Sequence, residues 1–215
     1  MIRTRNISTL TRTGTRPFTT PTATKMRIPY APSEPPANAS QEVKDIYHRI
    51  AERRNPRPLI PLDLALLHNP QIADGYNTLL GAIRTKSSFP LALAELAICY
   101  IAVLNTAVYE WKAHAPIALK AGASRKALQA VLDQDVKNEE VLSEEEREIL
   151  EFTYQSTKSV RVEEEVMEKL KKRWNDQQVM ELTITVAGYN MVSRFLVALD
   201  VTESNGESMV MPKED

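Results

Sequence analysis

Residues 104–114 read Leu-Asn-Thr-Ala-Val-Tyr-Glu-Trp-Lys-Ala-His, which puts an acid, an indole and an imidazole within five positions in a chain that has only three histidines. Glu110 and His114 are four residues apart, so on a helix their side chains share a face one turn apart. A carboxylate so placed can orient an imidazole and hold its tautomer, the minimum needed for proton transfer. A second acid, Glu95, lies inside Leu-Ala-Leu-Ala-Glu-Leu-Ala-Ile-Cys-Tyr-Ile-Ala-Val-Leu (91–104), where nearly every neighbour is apolar. An ionised carboxylate there must find a partner or take a raised pKa, and both a functional acid and a structural hydrogen bond satisfy that demand. Cys99 stands one turn after Glu95 and reads as a buried thiol, since no basic neighbour in sequence would lower its pKa. His48 sits among charges and His68 beside Asn69-Pro70, both at surface or cap positions.

The elements that would carry these groups are helices. Ser40 begins an apolar pattern at Val43, Ile46, Tyr47 and Ile50 at helical spacing. The stretch 55–71 breaks, restarts and ends at Asn69-Pro70, and 71–88 forms a short helix. Gly122 stops one helix and Ser124 caps the next. Ser143 and Glu146 form a capping box. The segment 161–174 carries Val162, Val166, Met167 and Leu170 on one stripe, the pattern of an amphipathic surface helix. No window alternates apolar and polar residues as a strand requires, so the fold class is all-α. Segments 93–111 and 179–197 each place an Asn about ten positions after a Glu in an apolar run, which suggests a repeated helix pair.

Composition narrows the function classes. With 215 residues, 43% of them hydrophobic, the chain supports one core with tails. The net charge of −1 offers no global positive field for phosphate backbones, so nucleic acid is not an expected partner. The single cysteine excludes a thiol pair and a cysteine-rich zinc site within one chain; no metal site is expected. No uninterrupted apolar run of about 18 residues is present, so no membrane partner is expected.

The charge is unevenly spread. Residues 1–33 hold Arg3, Arg5, Arg12, Arg16, Lys25 and Arg27, many Ser and Thr, and no Asp or Glu. That is the composition of a mitochondrial transit peptide, expected over residues 1–25 with processing near Phe18 and Thr19; a disordered basic tail reads the same way. Initiation at Met26 would give a second, cytoplasmic form beside the matrix one. Residues 26–39 form a Pro-rich extended arm, 40–201 the helical domain and 202–215 a polar tail.

The stretch Glu-Leu-Ala-Ile-Cys-Tyr-Ile-Ala-Val-Leu-Asn-Thr-Ala-Val-Tyr-Glu-Trp-Lys-Ala-His-Ala-Pro-Ile-Ala-Leu-Lys-Ala-Gly-Ala-Ser (95–124) resembles the signature of the carboxymuconolactone decarboxylase-like family, which includes alkylhydroperoxidase D. Residues 187–201 resemble its C-terminal helix. In the alkylhydroperoxidase D branch a helix glutamate is followed fifteen positions later by the second cysteine of a CxxC, then four later by a histidine. Glu95 and His114 match the glutamate and the histidine, while Ala107 and Glu110 occupy the cysteine positions. Without those thiols the peroxidase cycle of that branch has neither nucleophile nor resolving partner.

The resemblance implies an oligomeric helical bundle, a homo-dimer, trimer or hexamer, with neighbouring subunits often completing the site. It implies a cofactor-free lyase or isomerase acting on a small carboxylated or carbonyl compound. In that scheme His114 is general acid or base, Glu110 orients it or shuttles the proton, and Glu95 is the buried second acid. Tyr109 and Trp111 line the substrate pocket or belong to the core. Two other classes stay open, a non-catalytic binding or assembly member of the family and a hydroperoxide reductase working through Cys99 alone.

Overall fold

The computed structural model describes residues 26–213, and the basic stretch read as a transit peptide lies outside the described residues. Among the described residues there are nine α-helices, one short 3-10 turn and no strand.

Most helix starts follow from local chemistry. Ser40 accepts from the Val43 amide to open α1 (Gln41–Arg54). Pro61 opens α2 (Pro61–Leu66). Asn69 accepts from the Ile72 amide and Pro70 takes the first helical position of α3 (Pro70–Lys86), since proline there forfeits only an amide that has no helical partner. The 17 residues of α3 fill nearly the whole of the 71–88 stretch expected to be helical. The central helix α4 (Leu91–Leu104) is followed by α5 (Val108–Lys120) and α6 (Arg125–Leu132), the last capped by Ser124. The capping box of Ser143 and Glu146 opens α7 (Glu144–Lys158). The amphipathic segment gives α8 (Glu164–Arg173), and Asn175 with Gln178 caps the longest helix, α9 (Asp176–Leu199).

All of α4 except Leu91, Ala92 and Ala94 is buried, as a helix apolar on every side requires. It divides the interior. Leu93, Ala97, Ile98 and Ile101 face one core with α1, α2, α3 and α9, whereas Leu96, Cys99, Tyr100 and Val103 face a second core with α5 and α6.

The suggested helix-pair repeat is not what forms. Residues 93–111 run through the α4–α5 turn, where Thr106 takes a left-handed φ of 55°, but residues 179–197 lie inside the unbroken α9. The two asparagines that prompted the comparison meet each other: Asn105 Nδ2 donates to Asn190 Oδ1 at 3.0 Å and to Ser193 Oγ at 2.8 Å, fastening the α4–α5 turn onto α9. By length and composition α9 could cross a membrane, yet it is also a packed helix of this bundle, with 44% of its most apolar stretch buried and contacts to α3, α4, α5, α7 and α8.

Both ends of the described chain are tied down by backbone groups. In the arm, Arg27 N donates to Leu199 O and Ala31 N to Leu64 O, and His68 Nε2 donates to Pro29 O at 2.6 Å. The Tyr30 hydroxyl accepts from the Thr202 amide. At the other end, Met209 and Met211 pack on the second core, and Arg125 donates to Pro212 O at 2.9 Å.

Candidate active site

Glu95 projects from the middle of α4, and Glu110 and His114 from the first and second turns of α5, with relative exposures of 1%, 1% and 6%. The packing of α5 on α4 brings His114 Nδ1 to 2.6 Å from Glu95 Oε2 inside the protein. The Nδ1 proton therefore points at a carboxylate, a charge-assisted contact at the short end of the normal range. The Tyr189 ring from α9 stands edge-on to the imidazole, with centroids 4.9 Å apart and planes at 84°. Two faces of the imidazole environment are thereby set by α4 and α9.

Glu110 does not play the orienting part expected of it. Neither carboxyl oxygen has a hydrogen-bond partner, and both are buried. Position i to i+4 puts Glu110 on the His114 side of α5, but the imidazole turns to α4, where Glu95 is the nearer acid. Burial drives the Glu110 pKa well above the carboxylate range, and the negative charge of Glu95 adds to the rise. The group keeps its proton to higher pH than an exposed carboxyl does. Its presence is felt in turn by Tyr76 of α3, whose phenol is raised first by burial and then by the Glu110 charge.

Cys99 is fully buried. Burial first, and then the charges of Glu95 and Glu110, push its thiol pKa well up, so the thiolate needed for nucleophilic attack is disfavoured.

Glu95 borders a cavity of about 220 Å³ between α3, α4 and α9, walled by Ile83, Phe89, Ala94 and Ile98 and carrying Arg84. Glu110, His114, Tyr109 and Trp111 are not among its lining residues. With Oε2 engaged by His114, Oε1 is the Glu95 oxygen left to face the cavity. α9 lies close to α3 here, and a Cβ at Gly188 would stand 3.2 Å from the Ile83 Cδ1.

The two aromatic residues expected at the pocket sit elsewhere. Trp111 is buried in the second core and its Nε1 donates to Val210 O at 2.8 Å, so the indole holds the C-terminal segment on α5. Tyr109 packs partly buried on the first core, near Arg54 and Asp63. Trp111→Phe is expected to lower stability by about 1–2 kcal/mol, the cost of an unmade buried hydrogen bond and a smaller ring. Urea unfolding, with proteolysis of residues 204–213 as the local readout, checks it.

A bidentate ion pair went unseen in the sequence. Arg54 Nε and Nη2 donate to Asp63 Oδ2 and Oδ1 at 2.8 and 2.7 Å, with the aspartate completely buried. Asp63 also accepts from the Ile60 amide, so it fixes the start of α2 to the end of α1. His48 and His68 are exposed, away from the site. Among the described residues no three His, Cys, Asp or Glu side chains group as metal ligands.

The fold has counterparts among known proteins. Structural similarity extends to an uncharacterised peroxidase-related protein from Silicibacter sp. TM1040, at 17% identity and a TM-score of 0.65 over 83% of this chain and 93% of that one. It extends also to a protein of unknown function from Agrobacterium tumefaciens, described as an AhpD-type antioxidant defence protein, at 15% identity and TM-score 0.57 over 68% and 94% of the two chains. The debrominase Bmp8, as a cysteine-to-alanine variant with 2,3,4-tribromopyrrole, matches at 19% identity and TM-score 0.57 over 75% and 84%. At these identities the likeness is one of fold. No curated protein matches the chain. Residues 70–137 match the sequence model of the carboxymuconolactone decarboxylase family, a span that runs from α3 past α6 and holds Glu95, Cys99, Glu110 and His114. The chain thus shares the helical-bundle fold of these structures, and its residues 70–137 match the carboxymuconolactone decarboxylase family model.

Proposed function

We propose that the protein is a lyase or isomerase that moves a proton on a small carboxylated or carbonyl compound without a cofactor. The observation that carries this reading is the buried Glu95–His114 pair at 2.6 Å, with Glu95 bordering the cavity. In that arrangement Glu95 Oε1 is the base that meets the substrate. His114 backs it, its Nδ1–H donating to Oε2 and holding the carboxyl in place while Oε1 takes or gives the proton. A C–H bond of the substrate breaks toward Glu95, its electron pair spreads into an adjoining carbonyl, and return of the proton at a neighbouring carbon completes an isomerisation. Loss of a leaving group from that same carbanion completes an elimination. Neither needs an oxidant or a reductant.

Family membership of the segment and the debrominase among the structural neighbours support an enzyme on this fold. The roles differ from those first expected, since Glu95 and not Glu110 holds the imidazole. A homo-oligomer is part of the proposal, supported by the exposed apolar residues Met180, Ile184 and Met191 on one face of α9 and Ile72 and Leu79 on α3. The acid-free basic stretch 1–25 supports a mitochondrial matrix location.

The test is turnover in D2O. Carboxylated lactones, β-keto acids and hydroperoxides are incubated with the protein, and product and recovered substrate are read by NMR. Deuterium at a carbon of a lactone or keto acid is the expected result. Reduction of a hydroperoxide at the expense of added thiol, with no exchange into any carbon acid, would overturn the reading.

A further inference from the structure

The cavity beside Glu95 has one feature that proton transfer alone does not need. Arg84, in the last turn of α3, is exposed at its rim, while Glu95 at the inner wall is buried. The other polar side chains of the lining have their hydroxyl protons committed. Thr85 Oγ1 donates to Gly81 O at 2.9 Å, Thr185 Oγ1 to Glu181 O at 2.7 Å, and Ser87 Oγ to Glu181 Oε2 at 3.1 Å. Arg84 makes no hydrogen bond or ion pair with any described residue. Its guanidinium is the one set of unspent strong donors on the wall.

Its charge reaches the reacting end of the site. Tyr189, edge-on to His114, experiences both the Arg84 charge and the Glu95 charge. Arg53, donating to Asn77, lies near enough to be affected by Arg84, and the Glu181 carboxylate is taken up by Ser87 and Ser88. The apolar part of the wall is Ile83, Phe89, Leu91, Ala94 and Ile98. At about 220 Å³ the cavity falls below the ~300–1,000 Å³ of pockets for drug-sized ligands. A small, mostly apolar molecule with one anionic group fits these constraints.

We infer that Arg84 is the specificity residue of this cavity, binding the carboxylate of a small substrate at the rim and leaving the apolar body of that substrate against Ile83, Ala94 and Ile98 with a carbon at Glu95. The inference rests on the reading of Glu95 and His114 as the reacting pair. It also sets the role of the bound carboxylate. A guanidinium fork stabilises a carboxylate bidentately, and a group about to leave as neutral CO2 loses that stabilisation on the way to the transition state. Binding it at Arg84 would favour the ground state and slow the loss. The carboxylate at Arg84 is therefore a handle that survives the reaction, and the bonds that change are those near Glu95.

The experiment measures binding, so it stands apart from turnover. Benzoate and its neutral isostere benzamide are titrated into methyl-labelled protein, observing the Ile83, Leu91 and Ile98 methyl resonances. Benzoate is expected to shift these methyls and to bind at least tenfold more tightly than benzamide. Arg84→Gln should erase that preference and Arg84→Lys should keep part of it, with unchanged melting temperatures because residue 84 is exposed. Equal binding of the two probes, a benzoate preference that survives Arg84→Gln, or shifts confined to residues outside this cavity would overturn the assignment. If benzoate binds through Arg84 while no carbon acid exchanges with D2O, the anion subsite stands and the proton-transfer reading falls.

Discussion

Glu95→Gln is expected to lower turnover by roughly 10²- to 10⁴-fold, the usual range for loss of a general acid or base, while Cys99→Ser leaves it within a few fold. Gln keeps the shape of the side chain and can still meet His114 Nδ1, so the variant should fold and the loss should appear in kcat. It removes the one group at the cavity that both borders the substrate space and has a proton partner at 2.6 Å. His114→Ala is expected to lower kcat in the same range, since it leaves Glu95 as a buried carboxylate without its donor, at a cost met by protonation. Combining the two should cost little more than either alone, because groups that act as a unit are not additive. Steady-state kinetics on the substrate that exchanges in D2O gives all four numbers. The opposite order, Cys99→Ser inactive and His114→Ala intact, would replace this mechanism with a one-cysteine one. Burial and two nearby acids argue against that outcome by raising the thiol pKa.

How far the sequence could lead is visible in the difference between local and distant partners. Ser40, Ser124 and the Ser143–Glu146 box are legible because a cap and its amide lie three residues apart and no other element intervenes. The all-helical class follows from the same kind of short-range pattern. The Glu95–His114 contact joins residues 19 apart in sequence, and its existence depends on how α5 settles on α4. The spacing of Glu110 and His114 guarantees a shared helix side, not a hydrogen bond, and the imidazole bonds to Glu95 instead. Trp111 shows the same limit. An aromatic beside two polar candidates reads as pocket or core with equal right, and a carbonyl 99 residues away decides for core. Tyr189 and Arg84 carry no local mark of function at all. Each matters only through the packing of α9 on α3 and α4, which includes the close approach of Gly188 to Ile83.

Glu110→Gln should stabilise the protein, and increasingly so as the pH rises, while lowering activity. Both carboxyl oxygens of Glu110 are buried without a partner, and burial together with Glu95 raises its pKa well above the ordinary value. In the unfolded chain the same carboxyl ionises near about 4.3. Below that pH both states hold the proton and Glu110 adds no pH dependence. As the pH climbs from there toward the raised native value, the unfolded state loses its proton and the folded state keeps it, so stability falls by about 1.4 kcal/mol for each unit of separation crossed. Above the native value the loss levels off. Gln cannot ionise, so the variant escapes this loss, and its melting temperature should exceed the wild type by about 2–4 °C per kcal/mol recovered. The gap should be near zero at pH 4 and widen through neutrality. Melting curves at half-unit pH steps test this, and a gap that stays flat from pH 4 to 8 would show that Glu110 ionises normally. Activity separates storage of a proton from mere packing. If the neutral Glu110 carboxyl resupplies Glu95 and His114 during the cycle, an amide that has no acidic proton costs about 10²-fold or more at every pH. If it only fills space beside Cys99, the more stable variant keeps its rate.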